Sequence, residues 1–366
     1  MNDKPKIMQH CVEAYLNIGG PATEYLLLMN SPLKDKFQFD PLLQREAPHG
    51  INLALLRDMI AQIKKVKPDI VHVRGLHSEG FYGLLAARLA GVKKVVLCVH
   101  GTYTDSLNVG VFKKFIYGRI IEPFTLRNAD LVYCVCDFAA RRPYIYQHTN
   151  RLYGFIHNAA PDYSMYNKEE SRQKIRTELG IRPDEIVGVT VGRVTFGKGH
   201  KTLIDAIKLL ETRNYNIRYL IVGEGDYLDE LQTQLADEIK SKQVILLGQR
   251  SDVKDILFAS DIFILPTLHE NLSIALLEAC AAKLAIIATN VGGNPEVIQH
   301  GKTGIMIPPR NAEKLANAIL ALVRNPEKRE RLAVQAQKNA RTDFSQEKIF
   351  NEIETMYNLV LMQKKT

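Results

Sequence analysis

The chain has 366 residues, and its 48 basic and 40 acidic side chains give a formal net charge of +8. This length predicts two domains of ordinary size. The mild basic excess suits an anionic ligand or an anionic membrane surface, but it is too dispersed to indicate a nucleic-acid partner. No apolar run approaches the ~20 residues that a membrane span needs, and the amino terminus lacks a signal-peptide pattern.

The five cysteines lack metal-ligand spacing, which favours reduced, buried thiols and a cytoplasmic location. Cys134 and Cys136 lie on a predicted strand. The others are Cys11, Cys98 and Cys280. We therefore predict no metal site from the cysteines.

Short apolar strands alternate with helices from the start of the chain. The strand KIMQHCV precedes the helix PATEYLLLMN, PDIVHVRG precedes the helix GFYGLLAARLAG, and KKVVLCVHG precedes a helical region and the strand ADLVYCVCD. This alternation is typical of parallel sheets built from βαβ units. A polar segment, GFIHNAAPDYSMYNKEES, then reads as a linker.

The same alternation restarts after the linker and ends in a helical tail. Its strands include EIVGVTVGRV, IRYLIVGEG, QVILLG, DIFILPT, LAIIATNVGG and TGIMIPP. We predict an α/β fold with two Rossmann-like, doubly wound domains that face a central cleft. The predicted domains are residues 1–160 and 161–344.

Four loops that follow strands carry glycines, at the carboxyl ends where parallel sheets bind ligands. Glycine lets the backbone approach a phosphate closely, and a helix amino terminus offers free N–H groups. An ordinary strand-to-helix turn explains any single loop about equally well, but four such loops favour phosphate binding. The glycines are Gly19 and Gly20; Gly192, Gly197 and Gly199; Gly223 and Gly225; and Gly292 and Gly293.

The loop GRVTFGKG differs by one residue from a P-loop. Gly199 stands where a P-loop needs Ser or Thr to hold magnesium, so we reject an ATPase interpretation. Arg193 and Lys198 remain as two cations for a diphosphate, and the alternative is that both are solvated surface charges.

Glu270 and Glu278 are separated by seven residues at another strand-to-helix loop. Glu270 precedes the helix, and Glu278 lies about 7–8 Å along it. A sugar nucleotide fits this spacing, with its sugar near Glu270, its diphosphate at the helix start and its ribose near Glu278. The alternative is that Glu278 is an exposed helix residue, but its apolar neighbours disfavour that.

His100 ends an apolar strand and is a candidate for the same cleft, although a structural role is the commoner one for such a histidine. His72 and His77 flank the preceding strand end and are weaker candidates.

These segments together resemble the retaining glycosyltransferases of family 4, which have the GT-B fold and include enzymes of bacterial surface-polysaccharide synthesis. The resemblance rests on GGPATE, the HG after the third strand, GRVTFGKG, HENLSIALLEA and NVGGNPEVI, and it covers nearly the whole chain. It implies that the last helix, within residues 345–366, packs back onto the first domain.

The resemblance also implies roles for the donor-site residues. Arg193 and Lys198 would hold the diphosphate and offset its charge as the bond to the sugar breaks. Glu270 would contact the donor sugar, and Glu278 would bind the ribose hydroxyls.

Further roles come from the same resemblance. The backbone at Leu272 and Ser273 would cap the phosphate. Gly19 and Gly20 would let the first domain close over the phosphates, and His100 would touch the transferred sugar near the reacting carbon.

The implied reaction retains the anomeric configuration and needs neither a metal ion nor a cofactor. Its donor would be a nucleoside-diphosphate sugar, with UDP-sugars slightly favoured, and its acceptor a glycan or a lipid-linked molecule. An epimerase or phosphorylase on the same fold, or a non-catalytic nucleotide-sugar binding module, remains the alternative.

Residues 108–124 mix aromatic and aliphatic side chains with Lys113, Lys114 and Arg119. A basic amphipathic helix of this kind can lie on an anionic membrane, which would make the protein peripheral to the inner face of the cell membrane. The alternative is that the apolar side of this helix packs on its own domain. This alternative is favoured, because most amphipathic surface helices pack in that way.

Overall fold

The computed structural model describes residues 4–16, 20–46, 50, 52–103, 110–213, 215 and 217–363. The chain forms two compact units, residues 1–158 with 347–366 and residues 159–346. Each boundary lies two residues from its predicted position. The last 20 residues belong to the first unit.

The first unit contains a six-stranded parallel sheet in the order β2-β1-β3-β4-β5-β6. Its four interior strands are almost entirely buried, because helices cover a parallel sheet on both faces. Its strands are β1 (Lys6–Val12), β2 (Gln38–Gln44), β3 (Ile70–Arg74), β4 (Val95–Val99), β5 (Leu131–Cys134) and β6 (Leu152–Phe155).

The helices of the first unit connect these strands. They are α1 (Gly20–Met29), α2 (Leu53–Val66), α3 (Ser78–Leu89), α4 (Val111–Ile116), α5 (Glu122–Asn128), α6 (Asp137–Ala140) and α7 (Pro143–Tyr146). A π-helical turn, Tyr117–Ile121, joins α4 to α5. Helix α2 begins where the Asn52 side chain accepts a hydrogen bond from the Leu55 amide, as expected for an N-cap.

The last helix, α17 (Gln346–Met362), supplies core residues to this sheet. Tyr357 is fully buried, and its ring contacts Phe37 edge-on at a centroid distance of 5.5 Å. Lys94 Nζ donates a 2.7 Å hydrogen bond to the carbonyl of Leu361. These contacts tie the carboxyl-terminal segment to the first sheet.

The second unit contains another six-stranded parallel sheet, in the order β12-β11-β10-β7-β8-β9. This is the Rossmann strand order, in which the direction of winding reverses between β7 and β10. Its strands are β7 (Val187–Val191), β8 (Arg218–Val222), β9 (Val244–Gly248), β10 (Ile262–Leu265), β11 (Ala285–Thr289) and β12 (Ile305–Ile307).

Nine helices of the described residues surround this second sheet. They are α8 (Lys168–Leu179), α9 (His200–Thr212), α10 (Leu228–Gln234), α11 (Ala236–Lys240), α12 (Val253–Ala259), α13 (Ile274–Ala281), α14 (Asn294–Val297), α15 (Ala312–Val323) and α16 (Pro326–Thr342). The inner faces of α9 and α15 join the sheet in one apolar core.

Two local predictions need correction. The predicted linker begins inside β6, because Gly154 and Phe155 pair with β5, and only the residues up to Asn167 lack regular structure. Cys136 does not lie on a strand, since β5 ends at Cys134 and Cys136 is the N-cap of α6. All five cysteines are free and buried.

Within the described part of the chain, every helix falls short of the length and apolarity that crossing a membrane requires.

Candidate active site

The strand order of the second unit brings two of the predicted loops together. Strands β7 and β10 are neighbours, so the loop after β7 and the loop after β10 leave the same edge of the sheet side by side. The Leu268 amide donates to the carbonyl of Gly197 at 2.9 Å, which joins the two loops directly. Ligands of doubly wound sheets bind at such a reversal of winding.

Lys198 and Glu270 form an ion pair across these loops. Lys198 Nζ donates to Glu270 Oε2 at 2.6 Å, and the two side chains are 23% and 15% exposed. Lys198 ends a 3₁₀ turn, Phe196–Lys198, and Glu270 lies between β10 and α13. The pair is partly shielded yet reachable from solvent, so the ammonium can still donate to a ligand.

Two glycines allow this close approach of loops. Gly199 has a φ of +75°, and a Cβ there would lie 1.9 Å from the carbonyl oxygen of Pro266. Gly292 has a φ of +56°, and a Cβ there would lie 1.5 Å from the carbonyl oxygen of Glu270. Only glycine fits either position, so both residues set the backbone around the ion pair.

Arg193 is the most exposed of the predicted donor-site residues that the structure describes. Its guanidinium makes no hydrogen bond or ion pair within the described ranges, so it is available to an anion. Its carbonyl lies 3.3 Å from His200 Nε2. Burial lowers the pKa of His200 to about 4, so this ring is neutral and the positive charge of the loop comes from Arg193 and Lys198.

Helix α13 starts at the predicted place. Ser273 is its N-cap, and the Ser273 hydroxyl accepts a hydrogen bond from the Leu276 amide at 3.3 Å. The earliest N–H groups of a helix have no acceptor inside the helix, so this terminus presents donors and partial positive charge. Leu272, just before the cap, is 6% exposed.

Glu278 is the fifth residue of α13, and it makes no hydrogen bond or ion pair among the residues the structure describes. Burial raises its pKa to about 7, because no charged partner compensates for the lost water. Burial raises the pKa of Tyr163, and the charge of Glu278 raises it further. A partly buried carboxylate without a partner is a suitable acceptor for ligand hydroxyls.

The first unit carries the remaining predicted site residues. Gly19 lies outside the described residues. Gly20 is the first residue of α1, and His100 follows β4 directly. His100 Nε2 lies 2.9 Å from Glu24 Oε2, in a largely buried cluster. Sequence reasoning placed His100 at the strand end but not beside this carboxylate.

Glu24 belongs to a buried polar network that sequence reasoning missed. Its Oε1 accepts from the Tyr133 hydroxyl at 3.1 Å, and its Oε2 lies 3.5 Å from Arg74 Nε. His72, considered only weakly from sequence, links Tyr133 to Tyr357 through its two ring nitrogens. In the sequence, the only sign of this network is that Glu24 lies four residues after a Gly-Gly pair. That spacing is common and does not by itself indicate a buried network.

Ligand atoms of Glu24, Cys98 and His100 lie within 4.8 Å of one another, a spacing that could hold a metal ion. The same atoms also form a hydrogen-bonded cluster, in which Cys98 Sγ lies 3.4 Å from His100 Nε2. The Arg74 guanidinium already balances the charge of Glu24, so a second cation there would be repelled. We interpret the cluster as a hydrogen-bonded network.

Two family models match this sequence. The model described as glycosyl transferases group 1 covers residues 171–339, and the model described as glycosyltransferase family 4 covers residues 36–142. An Escherichia coli UDP-Gal:alpha-D-GlcNAc-diphosphoundecaprenol alpha-1,3-galactosyltransferase is 30% identical over 321 residues, which are 82% of this chain and 77% of the relative. A Staphylococcus aureus capsular polysaccharide biosynthesis glycosyltransferase, CapM, is 23% identical over 92% of this chain and 90% of its own.

Solved structures share the fold. The Anabaena protein HepE, solved with UDP and glucose, superposes with a TM-score of 0.77 at 20% identity, over 97% of this chain and 99% of its own. A sucrose-phosphate synthase from Thermosynechococcus elongatus superposes with a TM-score of 0.76 at 17% identity, over 98% and 99%. Together with the two parallel sheets and the family models, these similarities show that the chain belongs to the family 4 glycosyltransferases of the GT-B fold.

Proposed function

We propose that this glycosyltransferase moves a sugar from a nucleoside-diphosphate sugar to a hydroxyl of a glycan or lipid-linked acceptor, with retention of the anomeric configuration. The main observation behind this proposal is the Lys198–Glu270 ion pair, which lies where the winding of the second sheet reverses. Relatives named for polysaccharide synthesis and for a UDP-sugar donor support the pathway type and favour UDP-sugars. Retention is what the resemblance to family 4 implies.

The proposed donor runs along α13. Its diphosphate is held by Arg193, by Lys198 and by the helix amino terminus at Leu272 and Ser273. Its ribose hydroxyls donate to the Glu278 carboxylate, and its sugar hydroxyls contact Glu270. The Lys198–Glu270 ion pair positions both side chains before the donor arrives, so little reorganisation accompanies binding.

The chemical step builds negative charge on the departing diphosphate. Arg193 and Lys198 would donate to that charge, and each such donor contributes roughly 3 kcal/mol to lowering the barrier. The proposed mechanism therefore works without a divalent metal. Turnover that persists in excess EDTA supports this, and a complete, magnesium-reversible loss would contradict it.

The donor is tested by thermal shift with nucleoside diphosphates and their sugars, because a ligand of the native state raises apparent stability. We expect UDP and at least one UDP-sugar to raise the melting temperature of the wild type more than that of Lys198→Ala. The anomeric coupling of the first product, read by proton NMR, then tests retention. Product formed with inversion would overturn the stereochemical part of the proposal.

The alternatives give different results in the same assays. A phosphorylase would release sugar phosphate and depend on inorganic phosphate, and an epimerase would change the donor with no acceptor present. A binding module would bind UDP-sugars without turning them over, whichever acceptor is supplied.

We also propose that α4 and the π-helical turn after it contact an anionic membrane. None of the α4 side chains is buried, which favours this proposal over packing of the helix on its own domain. Val111, Phe112 and Phe115 are 85%, 76% and 61% exposed, beside Lys113 and Lys114. Exposed aromatic residues next to lysines are suited to an anionic interface.

Liposome flotation tests this contact. We expect the protein to float with vesicles that contain phosphatidylglycerol, and Phe112→Ser with Phe115→Ser to abolish flotation. Leu89→Ser, a change at the 56% exposed end of α3, is the matched control and should float like the wild type. Wild-type protein that stays with the soluble fraction in all vesicles would end the proposal.

A further inference from the structure

The buried network at the carboxyl edge of the first sheet contains a carboxylate that the proposed donor site does not use. We propose that Glu24 is a positioning residue that fixes the orientation and the tautomer of the His100 ring. This proposal rests on the proposed function, in which His100 would contact the transferred sugar. The contact itself is direct, since Glu24 Oε2 lies 2.9 Å from His100 Nε2.

Glu24 is held as an ionised carboxylate despite its burial. Burial by itself would raise the pKa of Glu24, but the Arg74 guanidinium and the hydrogen bond with His100 outweigh it and hold the pKa well below its usual range. Arg74 is itself anchored, because its Nη2 donates to Gln9 Oε1 at 2.8 Å and its Nη1 donates to the His10 carbonyl at 3.1 Å.

Glu24 is also immobilised at both oxygens. The Tyr133 hydroxyl donates to Oε1, while Arg74 and His100 face Oε2. The carboxylate is carried by α1, His100 follows β4, and Arg74 ends β3, so three elements of the sheet edge converge. A carboxylate fixed in this way can hold an imidazole in one orientation.

The charge of Glu24 determines which ring nitrogen of His100 carries a hydrogen. An ionised carboxylate only accepts hydrogen bonds, so the His100 nitrogen that faces it, Nε2, must be the donor. If the ring is neutral, the other nitrogen, Nδ1, carries no hydrogen and is an acceptor. This tautomer can receive a hydrogen bond from a substrate hydroxyl. Glutamine at position 24 would both donate and accept, and the tautomer would no longer be specified.

A double-mutant cycle tests the coupling. Glu24→Gln, His100→Ala and the double variant are compared for turnover of whichever of UDP-glucose, UDP-galactose or UDP-N-acetylglucosamine the wild type uses. We expect Glu24→Gln to lower kcat about 10-fold to 100-fold, with little change in the donor KM, as for the loss of one hydrogen bond to a charged group. The double variant should be no slower than His100→Ala, because Glu24 acts through that ring.

Tyr357→Phe is the matched control for structural damage. It removes the hydroxyl that bonds Gln9 and His72 in the same buried network, but it leaves the Glu24–His100 contact intact. We expect it to lower the melting temperature about as much as Glu24→Gln does, and to leave kcat within about 2-fold of the wild type.

A second measurement is independent of turnover. The ¹⁵N chemical shifts of histidine-labelled protein report the tautomer, and the His100 signals are assigned by their loss in His100→Ala. We expect the Nε2–H form of His100 in the wild type and a mixture of tautomers in Glu24→Gln. An unchanged tautomer in Glu24→Gln would overturn the proposal, even if no sugar nucleotide is turned over.

Other outcomes separate the two proposals. If the fold-losses in kcat of the two single variants multiply in the double variant, the role of Glu24 is refuted. The proposed glycosyltransferase reaction would not be affected by that result. A wild type that turns over none of the sugar nucleotides would count against the proposed function, while the NMR result still decides the role of Glu24. A stoichiometric metal in the purified protein, lost in Cys98→Ala, would replace the hydrogen-bonded interpretation.

Discussion

Glu278→Gln should make the stability of the protein less dependent on pH. Glu278 is partly buried on α13 without a hydrogen bond or ion pair among the described residues, and burial raises its pKa from 4.5 to about 7. Glutamine keeps nearly the same shape and cannot ionise. The comparison therefore isolates the free energy of burying the charge.

The sign and size follow from linkage. Between pH 4.5 and pH 7 the native state holds a proton on Glu278 that the unfolded chain has lost, so this residue lowers the free energy of unfolding as pH rises. When Glu278 is ionised in both the native and the unfolded state, this difference in pKa lowers the free energy of unfolding by about 3 kcal/mol. The glutamine variant should therefore gain about 2 kcal/mol relative to the wild type between pH 5 and pH 8.

Urea unfolding at pH 5 and pH 8 measures this gain directly. Glu169→Gln, at an exposed position on α8, is the control and should show a pH-dependent difference below about 1 kcal/mol. If the ionised Glu278 carboxylate binds ribose hydroxyls, UDP should also bind the wild type more tightly at pH 8 than at pH 6, and this dependence should vanish in the variant. A difference between wild type and variant that is equal at both pH values would refute the reasoning.

Three further predictions concern the same site. Lys198→Ala should lower kcat about 100-fold by removing one donor to the diphosphate, whereas Lys208→Ala, at an exposed position on α9, should not, as steady-state kinetics would show. Gly292→Ala should lower the melting temperature and the UDP affinity well beyond Gly301→Ala, which has a similar φ but open space at its Cβ; equal losses would remove the steric argument. Ser273→Ala should cost about 1 kcal/mol in urea unfolding by removing the cap of α13, and no loss would show that the cap is dispensable.

Much of the fold was predictable because its signals are local. The buried strands of both sheets are continuous apolar runs between helices, as in Val95–Val99 and Ile262–Leu265. Strand β2 was not predicted, because it is an edge strand with few buried residues and a proline, Pro41, in its middle. Strand β6 was not predicted, and its last two residues were assigned to a linker, since its only strong signal is its pairing with β5.

The chain positions of the candidate donor-site residues in the second unit were predictable for a similar reason. Lys198 and Glu270 each stand in a loop that directly follows an apolar strand, and Ser273 precedes a helical run. The distance between them was not readable from the sequence, because it depends on β7 and β10 being neighbours although β8 and β9 lie between them in the chain. The raised pKa of Glu278 likewise depends on what packs around α13.

The sequence by itself determined the α/β class and the positions of most strands and helices, since these follow from periodicity in short segments. It also indicated which residues could bind a diphosphate, since that follows from residue chemistry. Only the tertiary structure decided which of these residues meet. It joined Lys198 to Glu270, left Glu278 without a partner in the described residues, and surrounded His100 with Glu24 and Cys98. The physical reason is that strand order and burial are set by the packing of segments far apart in the chain.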